Sequence, residues 1–339
     1  MAKAIGAQTN EIYFTGSGCE ADNWAIKGIA DSQRKRGNHI ITSAVEHHAI
    51  LNTCGFLEKH GYEVTYLPVD SEGHVDPQAV KSAITDETIL ISVMTANNEI
   101  GTIQPIREIA EIAKEHKILF HTDAVQAIGH MEINVKDMGV DLLSLSGHKF
   151  HGPKGIGVLY IRNGVKISNL IHGGGQERGK RAATENVAGM AGIAKAISLA
   201  TENLEKNIAI MKEKRDRLIR GIQERIPYCR LNGPTDETRL CNNVNFSFQY
   251  VEGESILMML DMKGVAASSG SACASGSLDP SHVLLAIGLP HEIAHGSLRL
   301  SVCEDTTDED VDYVLEVLPP IIERLRMMSP LYEEVLKKS

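Results

Sequence analysis

Along the first half of the chain the apolar residues keep two different spacings. Residues 12–15, 39–42, 62–67, 88–93 and 117–120 are short runs rich in branched and aromatic side chains, and they predict strands. Between them Ala21, Trp24, Ala25, Gly28 and Ile29 recur at helical spacing, and further helical stretches fall near 47–60, 76–84 and 106–116. Two more strand-like runs follow at 141–146 and 157–162. Strands and helices alternating in this order predict an α/β layer fold with a mostly parallel central sheet. Ligands of such a sheet gather at the carboxyl ends of its strands.

From about 186 to 224 the pattern turns helical and charged, with Leu204, Ile208, Met211, Leu218 and Ile222 set among Lys, Arg and Glu. It predicts a long solvent-facing helix leading into a second, smaller domain. That domain has strands at 243–248 and 297–301 and a helix at about 253–262. A closing helix carries Val311, Val314, Leu315, Leu318, Ile321 and Ile322. Asp308, Glu309 and Asp310 suit the positive amino end of that helix. The expected division is a large domain over 1–200 and a small α+β domain over 201–339. The opening residues, Met1 to Gly6, read as the last turn of an amphipathic helix ending on glycine, so a segment upstream is expected.

Composition narrows the classes. The chain has 339 residues, 42% of them hydrophobic, enough for a large core. A net charge of −10 argues against nucleic acid or an anionic membrane as the primary partner. No apolar run approaches the ~20 residues that span a bilayer, and no signal-peptide pattern is visible. Cys19, Cys54, Cys229, Cys241, Cys273 and Cys303 are scattered without a CxxC pair. A structural metal site or a disulfide framework is therefore not expected, and reduced thiols in the cytoplasm are.

The chemistry centres on Ser146-Gly147-His148-Lys149, followed by Gly152-Pro153-Lys154-Gly155. A lysine at the end of a buried strand is expected to be poorly solvated, with a lowered ammonium pKa. Its free amine can form a Schiff base, which points to pyridoxal phosphate (PLP). A PLP site also needs an acid for the pyridine nitrogen, a phosphate cup, a ring-stacking group and a carboxylate anchor. Asp123, at a strand end, is the candidate acid, or else a helix N-cap. Gly16-Ser17-Gly18-Cys19, between a strand and a helix, is the candidate cup, or else a tight turn. Of the neighbours His47 and His48, one can stack on the ring and move protons, and the other is structural. Arg299 offers a fork for a carboxylate, or else a surface ion pair. Cys273 lies in a run of small residues from Ser268 to Ser277, a composition that describes an exposed loop with a reactive thiol.

These residues, with Asn97-Asn98-Glu99-Ile100-Gly101, Ser43-Ala44-Val45-Glu46-His47, Gly173-Gly174-Gly175-Gln176-Glu177-Arg178-Gly179 and Ser329-Pro330-Leu331, stand in collinear order. From about residue 10 to the end, the chain resembles the group I cysteine desulfurases of the NifS/IscS type. The resemblance implies a fold-type I PLP-dependent transferase of aminotransferase class V. It implies a homodimer that converts L-cysteine to L-alanine and an enzyme persulfide. Lys149 would hold PLP and shuttle the Cα proton, Asp123 would pair with the pyridine nitrogen, and Gln126 with the phenolic oxygen. His47 would stack on the ring and act in acid–base steps. Gly18, Cys19, Ser146 and His148 would hold the phosphate, with Thr184 reaching it from the partner subunit. Asn98 and Arg299 would position the substrate carboxylate, and Cys273 would attack the substrate sulfur. The family usually has threonine where Cys19 stands, and it carries an N-terminal segment, so this sequence is expected to lack its beginning.

The sulfur would go to an iron–sulfur scaffold protein or another acceptor, such as a tRNA-thiolation partner, without direct contact to nucleic acid. Two other readings are a selenocysteine lyase or other class V PLP enzyme, and a truncated, catalytically impaired interaction protein. The Cys273 run argues against the former, because elimination without a thiol acceptor needs no such cysteine.

Overall fold

Strands β2 (His39–Ser43), β4 (Thr88–Ser92), β6 (Leu142–Ser146) and β7 (Gly157–Ile161) are buried at every position. Strands without a wet face need cover on both sides. The computed structural model describes residues 1–269 and 280–337, except for the side chains of 334–336. These strands join β1 (Ile12–Thr15), β3 (Glu63–Leu67) and β5 (Leu119–Asp123) in a seven-stranded sheet of order β1-β7-β6-β5-β4-β2-β3. Neighbours from β3 through β2, β4 and β5 to β6 are parallel. Strand β7 runs antiparallel to both β6 and β1. Strand β1 therefore points the same way as β6, and its carboxyl end lies at the same edge.

Alternate residues along each strand serve opposite faces. Ile40, Leu90, Leu142 and Leu159 pack with Trp24, Ile26 and Ile29 of α1 (Gly18–Gln33) and Ile50 of α2 (His48–Glu58). Ile41, Ile91, Leu143 and Val158, their immediate neighbours in sequence, face the other layer. That layer contains α3 (Pro77–Ala83), α4 (Ile106–Glu115), α5 (Val135–Met138) and α7 (Val187–Glu202). A short turn, α6 (Gln176–Gly179), precedes α7. The first residues form a 3₁₀ turn, Ala2–Ile5, ended by Gly6 in the left-handed region at φ 70°.

The helix expected over 186–224 is two helices. α7 leaves helical geometry at Asn203 (φ −121°), and α8 spans Leu204–Arg225. Asparagine is a poor helix former because its side chain competes for backbone hydrogen bonds. Nor is α7 solvent-facing throughout, since Ile193, Ala196 and Ile197 are buried.

The chain divides into two compact units. One is Met1–Val69, His74–Asn97 and Ile103–Leu204; the other is Asp70–Gly73, Asn98–Thr102 and Glu205–Ser339. The second is built on an antiparallel sheet, β10-β9-β8, of β8 (Cys229–Leu231), β9 (Asn243–Phe248) and β10 (Ser297–Ser301). Its core joins Leu218 and Ile222 of α8 to Phe246, Leu298, Leu318 and Ile322. Helices α9 (Gly253–Asp261), α10 (His282–Ala286), α11 (His291–His295), α12 (Asp308–Met327) and α13 (Pro330–Leu336) complete it. The acidic first turn of α12 is closed by a capping box between Thr307 and Asp310.

Segments 70–73 and 98–102 belong to this second unit, although their place in the sequence puts them in the first half. Hydrogen bonding accounts for it. The side-chain amides of Asn243 and Asn245 both donate to Glu99 O at 2.9 Å, and Leu240 N donates to Gly101 O at 2.8 Å. Gly101 has φ 77°, and a methyl added there would lie 2.8 Å from Asn243 Cβ. Gly101→Ala is therefore expected to cost about 1–3 kcal/mol and to lower the melting temperature by several degrees. Gly61→Ala, at φ 85° with open space around the methyl, is expected to cost less; equal losses contradict the packing account.

Candidate active site

The lysine motif is shaped by close backbone approach. After β6, Gly147–Phe150 form a single 3₁₀ turn, which His151 ends at φ 63°. Gly147 N donates to Ile156 O (3.0 Å), and Gly152 N donates to Gly147 O (2.9 Å). A Cβ on Gly147 would meet Ile156 and Ile193 at 3.1 Å, and one on Gly152 would meet Gly147 O at 2.7 Å. These glycines let the turn fold back on itself. The turn buries Phe150 and leaves His148 and Lys149 exposed. The expected burial of Lys149 is thus corrected, because the turn carries its side chain past the end of the sheet. Ser146 Oγ and His148 Nδ1 are hydrogen bonded at 3.0 Å.

Asp123 is the last residue of β5 and only 5% exposed. Its Oδ1 accepts from Val125 N at 2.8 Å, an Asx turn with no helix after it, so it is not a helix N-cap. Burial pushes its carboxyl up to about 6, against the Val125 N–H and the charge of Lys149. Two more carboxyls lie in the same interior. Asp22, on α1, is 1% exposed, and burial and the charge of Asp123 hold it well above the usual range. Glu46 is pushed up to about 8 by burial, although Ser43 Oγ (2.6 Å) and Met94 N (2.9 Å) both donate to its Oε1. His121 is also buried, bonded through Nδ1 to Ser92 Oγ and through Nε2 to Ser144 Oγ, each at 2.9 Å. Burial lowers its pKa to about 3, so the ring is neutral. Burial thus opposes ionisation of all three carboxyls, and the charge of Asp123 holds Asp22 and Glu46 up further.

The amino end of α1 approaches this acid. A Cβ on Gly18 would lie 2.8 Å from Val125 Cγ2 and 3.1 Å from Ser146 Cβ. Ser17 caps the helix by accepting from Glu20 N at 3.1 Å, and Cys19, next to Gly18, is exposed. Glu20 is paired with Arg181, Nε to Oε1 at 2.7 Å, which neutralises an acid beside the helix end. His47 is the N-cap of α2, and its Nδ1 accepts from Ala49 N at 3.1 Å. Nε2 therefore carries the proton of the neutral ring. The His47 and His48 rings stand at 87° to each other, so they do not present a common face. Gln126 is half-buried and Thr184 exposed.

The second unit holds Asn98 and Arg299. Arg299, on β10, donates from Nη1 to Asn98 O at 2.7 Å, and its backbone pairs with Ser268. Glu99 is 2% exposed and accepts from Ser281 Oγ at 2.5 Å. Burial pushes its carboxyl up to about 7, opposed by Ser281 and by the charge of Arg299. Cys273 lies within 270–279, outside the described residues. Burial pushes the Cys54 thiol up to about 12 and the Cys241 thiol to about 11, which suits packing rather than reactivity.

No role was expected for Asp22, Glu46, Glu99 or His121, although Glu46 and Glu99 fall inside the Ser43–His47 and Asn97–Gly101 motifs. One signal was available: Asp22 falls in register with buried Ile26 and Ile29 on the helix, a polar residue in an apolar stripe. The Glu46 assignment is testable. Folded, this carboxyl keeps its proton to about pH 8, whereas the ordinary value is 4.5. Between those values the unfolded state binds fewer protons, so stability falls as pH rises, by up to about 1.4 kcal/mol per unit. Glu46→Gln removes that slope. In the cofactor-free protein the variant's melting temperature, relative to the native chain, should climb steadily from about pH 5 to about pH 8; a constant difference contradicts the assignment.

The aminotransferase class-V family matches residues 1–314. A cysteine desulfurase IscS of Clostridium botulinum (strain Hall) is 66% identical over 338 residues, 99% of this chain and 85% of that protein. A solved NifS-like protein has a TM-score of 0.88 at 39% identity, covering 96% of this chain and 85% of its own. A structure of SspA in complex with cysteine has a TM-score of 0.78, also at 39% identity, covering 90% and 85%. The chain therefore belongs to the aminotransferase class-V family, in its cysteine desulfurase branch.

Proposed function

We propose that this chain is a PLP-dependent cysteine desulfurase that makes L-alanine and a persulfide from L-cysteine. The observation that carries the reading is Lys149, exposed in the turn that follows β6, with the buried carboxyl of Asp123 at the end of the neighbouring strand β5. The residues fit the cofactor. Gly18, whose place between Val125 and Ser146 leaves no room for a side chain, brings a helix amino end to where a phosphate is needed. Cys19, Ser146 and His148 would complete that cup, with Thr184 of a second copy in a homodimer. Gln126 would hold the phenolic oxygen. When bound, PLP supplies an electron sink for the charge left at the substrate Cα.

The chain's own groups do the rest. Asp123 would pair with the pyridine nitrogen and, as a buried carboxylate, favour its protonated form. Lys149 takes the Cα proton and returns it, and His47 moves protons through Nε2. Asn98 and Arg299 hold the substrate carboxylate. The Cys273 thiolate attacks the substrate sulfur. The C–S bond breaks toward carbon, an S–S bond forms on the enzyme, and the carbon takes a proton to give alanine. Relatives named cysteine desulfurase support this substrate. No helix among the described residues is long and apolar enough to cross a membrane. A reducing, cytoplasmic setting would keep the Cys273 thiol available for this reaction. The persulfide would pass to an iron–sulfur scaffold protein or another acceptor.

Cys273→Ser should retain the visible band of bound PLP and still bind L-cysteine, while alanine formation falls by roughly a hundredfold or more, as for loss of a nucleophile. Full-rate sulfide and alanine release from that variant would remove Cys273 from the mechanism. Retained turnover of selenocysteine alone would favour a lyase.

A further inference from the structure

The second unit gathers, around Arg299, both chain ends that bracket Cys273. Before the bracketed residues, Ser268 N donates to Arg299 O at 3.1 Å and Arg299 N donates to Ser268 O at 2.6 Å. After them, Ser281 Oγ donates to Glu99 Oε2 at 2.5 Å. The same Oγ accepts from Val283 N (3.1 Å) and Leu284 N (3.4 Å), so it also caps α10. Glu99 is itself held in place. Its carbonyl takes two side-chain amides, from Asn243 and Asn245, and Asn245 is the register partner of Arg299 across β9 and β10. The preceding carbonyl, Asn98 O, takes Arg299 Nη1 at 2.7 Å. Glu99 is almost wholly buried at 2% exposure, and a buried carboxyl without a task is costly.

We propose that Glu99 is a positioning residue that joins the Arg299 carboxylate subsite to the chain end following Cys273. Its backbone, at Asn98–Glu99, is bolted to the strand carrying Arg299. Its side chain fixes Ser281, and its charge acts on the Arg299 guanidinium. Substrate anchoring and the fixing of Ser281 thus share one residue. The roles of Arg299 and Cys273 rest on the function proposed above; the anchoring of Ser281 does not.

Glu99→Met and Glu99→Gln separate these contributions in the intact, PLP-loaded enzyme. Both fill about the same volume, but only glutamine keeps an acceptor for Ser281 Oγ. In Glu99→Met, amide hydrogen exchange at Val283 and Leu284 should quicken by about tenfold or more, as expected for a lost buried hydrogen bond. Single-turnover persulfide formation on Cys273, read by alkylation and mass spectrometry, should slow by a similar factor. Glu99→Gln should stay within about threefold of the native enzyme in both, yet bind L-cysteine about threefold or more tightly, because the charge of Arg299 is no longer shared. Native exchange and persulfide rates in Glu99→Met would overturn the proposal, as would a Glu99→Gln enzyme as slow as Glu99→Met. Exchange needs no turnover. If the native enzyme forms neither alanine nor persulfide, the reaction reading fails, while exchange at Val283 and Leu284 still decides the anchor.

Discussion

Asp22, Glu46 and Asp123 share the dry interior beneath the carboxyl edge of the first unit's sheet, and they cannot all ionise there. Burial raises each of them, and the charge of Asp123 raises the other two further. A neutral His121, tied at both ring nitrogens to serines, adds no cation. Ionising more than one of them there is costly, and a carboxylate in a dry site calls for a cation. Much else in the unit serves that demand. Parallel strands end together, glycines bring the amino end of α1 and the Lys149 turn close, and Arg181 neutralises the acid that would otherwise crowd the helix end.

The second unit answers a different need. Its sheet displays Arg299, and its hydrogen bonds reach back to a piece of chain, 98–102, that leaves the first unit and rejoins it. The polar side chains of Asn243, Asn245 and Asn232 line one of the two buried faces of β9, Asn232 Nδ2 donating to Asn245 Oδ1 at 2.8 Å. Such a network is costly unless its members are bonded. Here it fixes the backbone at Glu99 and so the guanidinium beside it. The energetics of this unit are those of position rather than of charge storage.

Much of the first unit was legible in the sequence because its signals are local. Branched runs marked β2, β4, β6 and β7, and the Gly147 motif marked the lysine turn. Elements bounded by long-range pairing were harder. The run at 117–120 proved to be a strand over Leu119–Asp123, since pairing with β4 and β6 decides where it ends. Asn203 divided what looked like one helix. Segments 70–73 and 98–102 changed units because their partners lie far along the chain. Buried acids were the hardest of all. Asp22, Glu46 and Glu99 look like surface residues in composition, and only the packing around them shows that they are buried. Lys149 erred in the opposite sense, since a lysine next to a buried strand proved to be exposed.

The central claim is that buried Asp123 serves as the counter-charge to a cation in a dry site. The most direct test is the ¹⁵N chemical shift of the pyridine nitrogen in the enzyme loaded with ¹⁵N-labelled PLP. The account predicts a protonated nitrogen in the native enzyme at neutral pH, and loss of that proton in Asp123→Asn. An unprotonated nitrogen in the native enzyme, or one that stays protonated without the Asp123 charge, would contradict it.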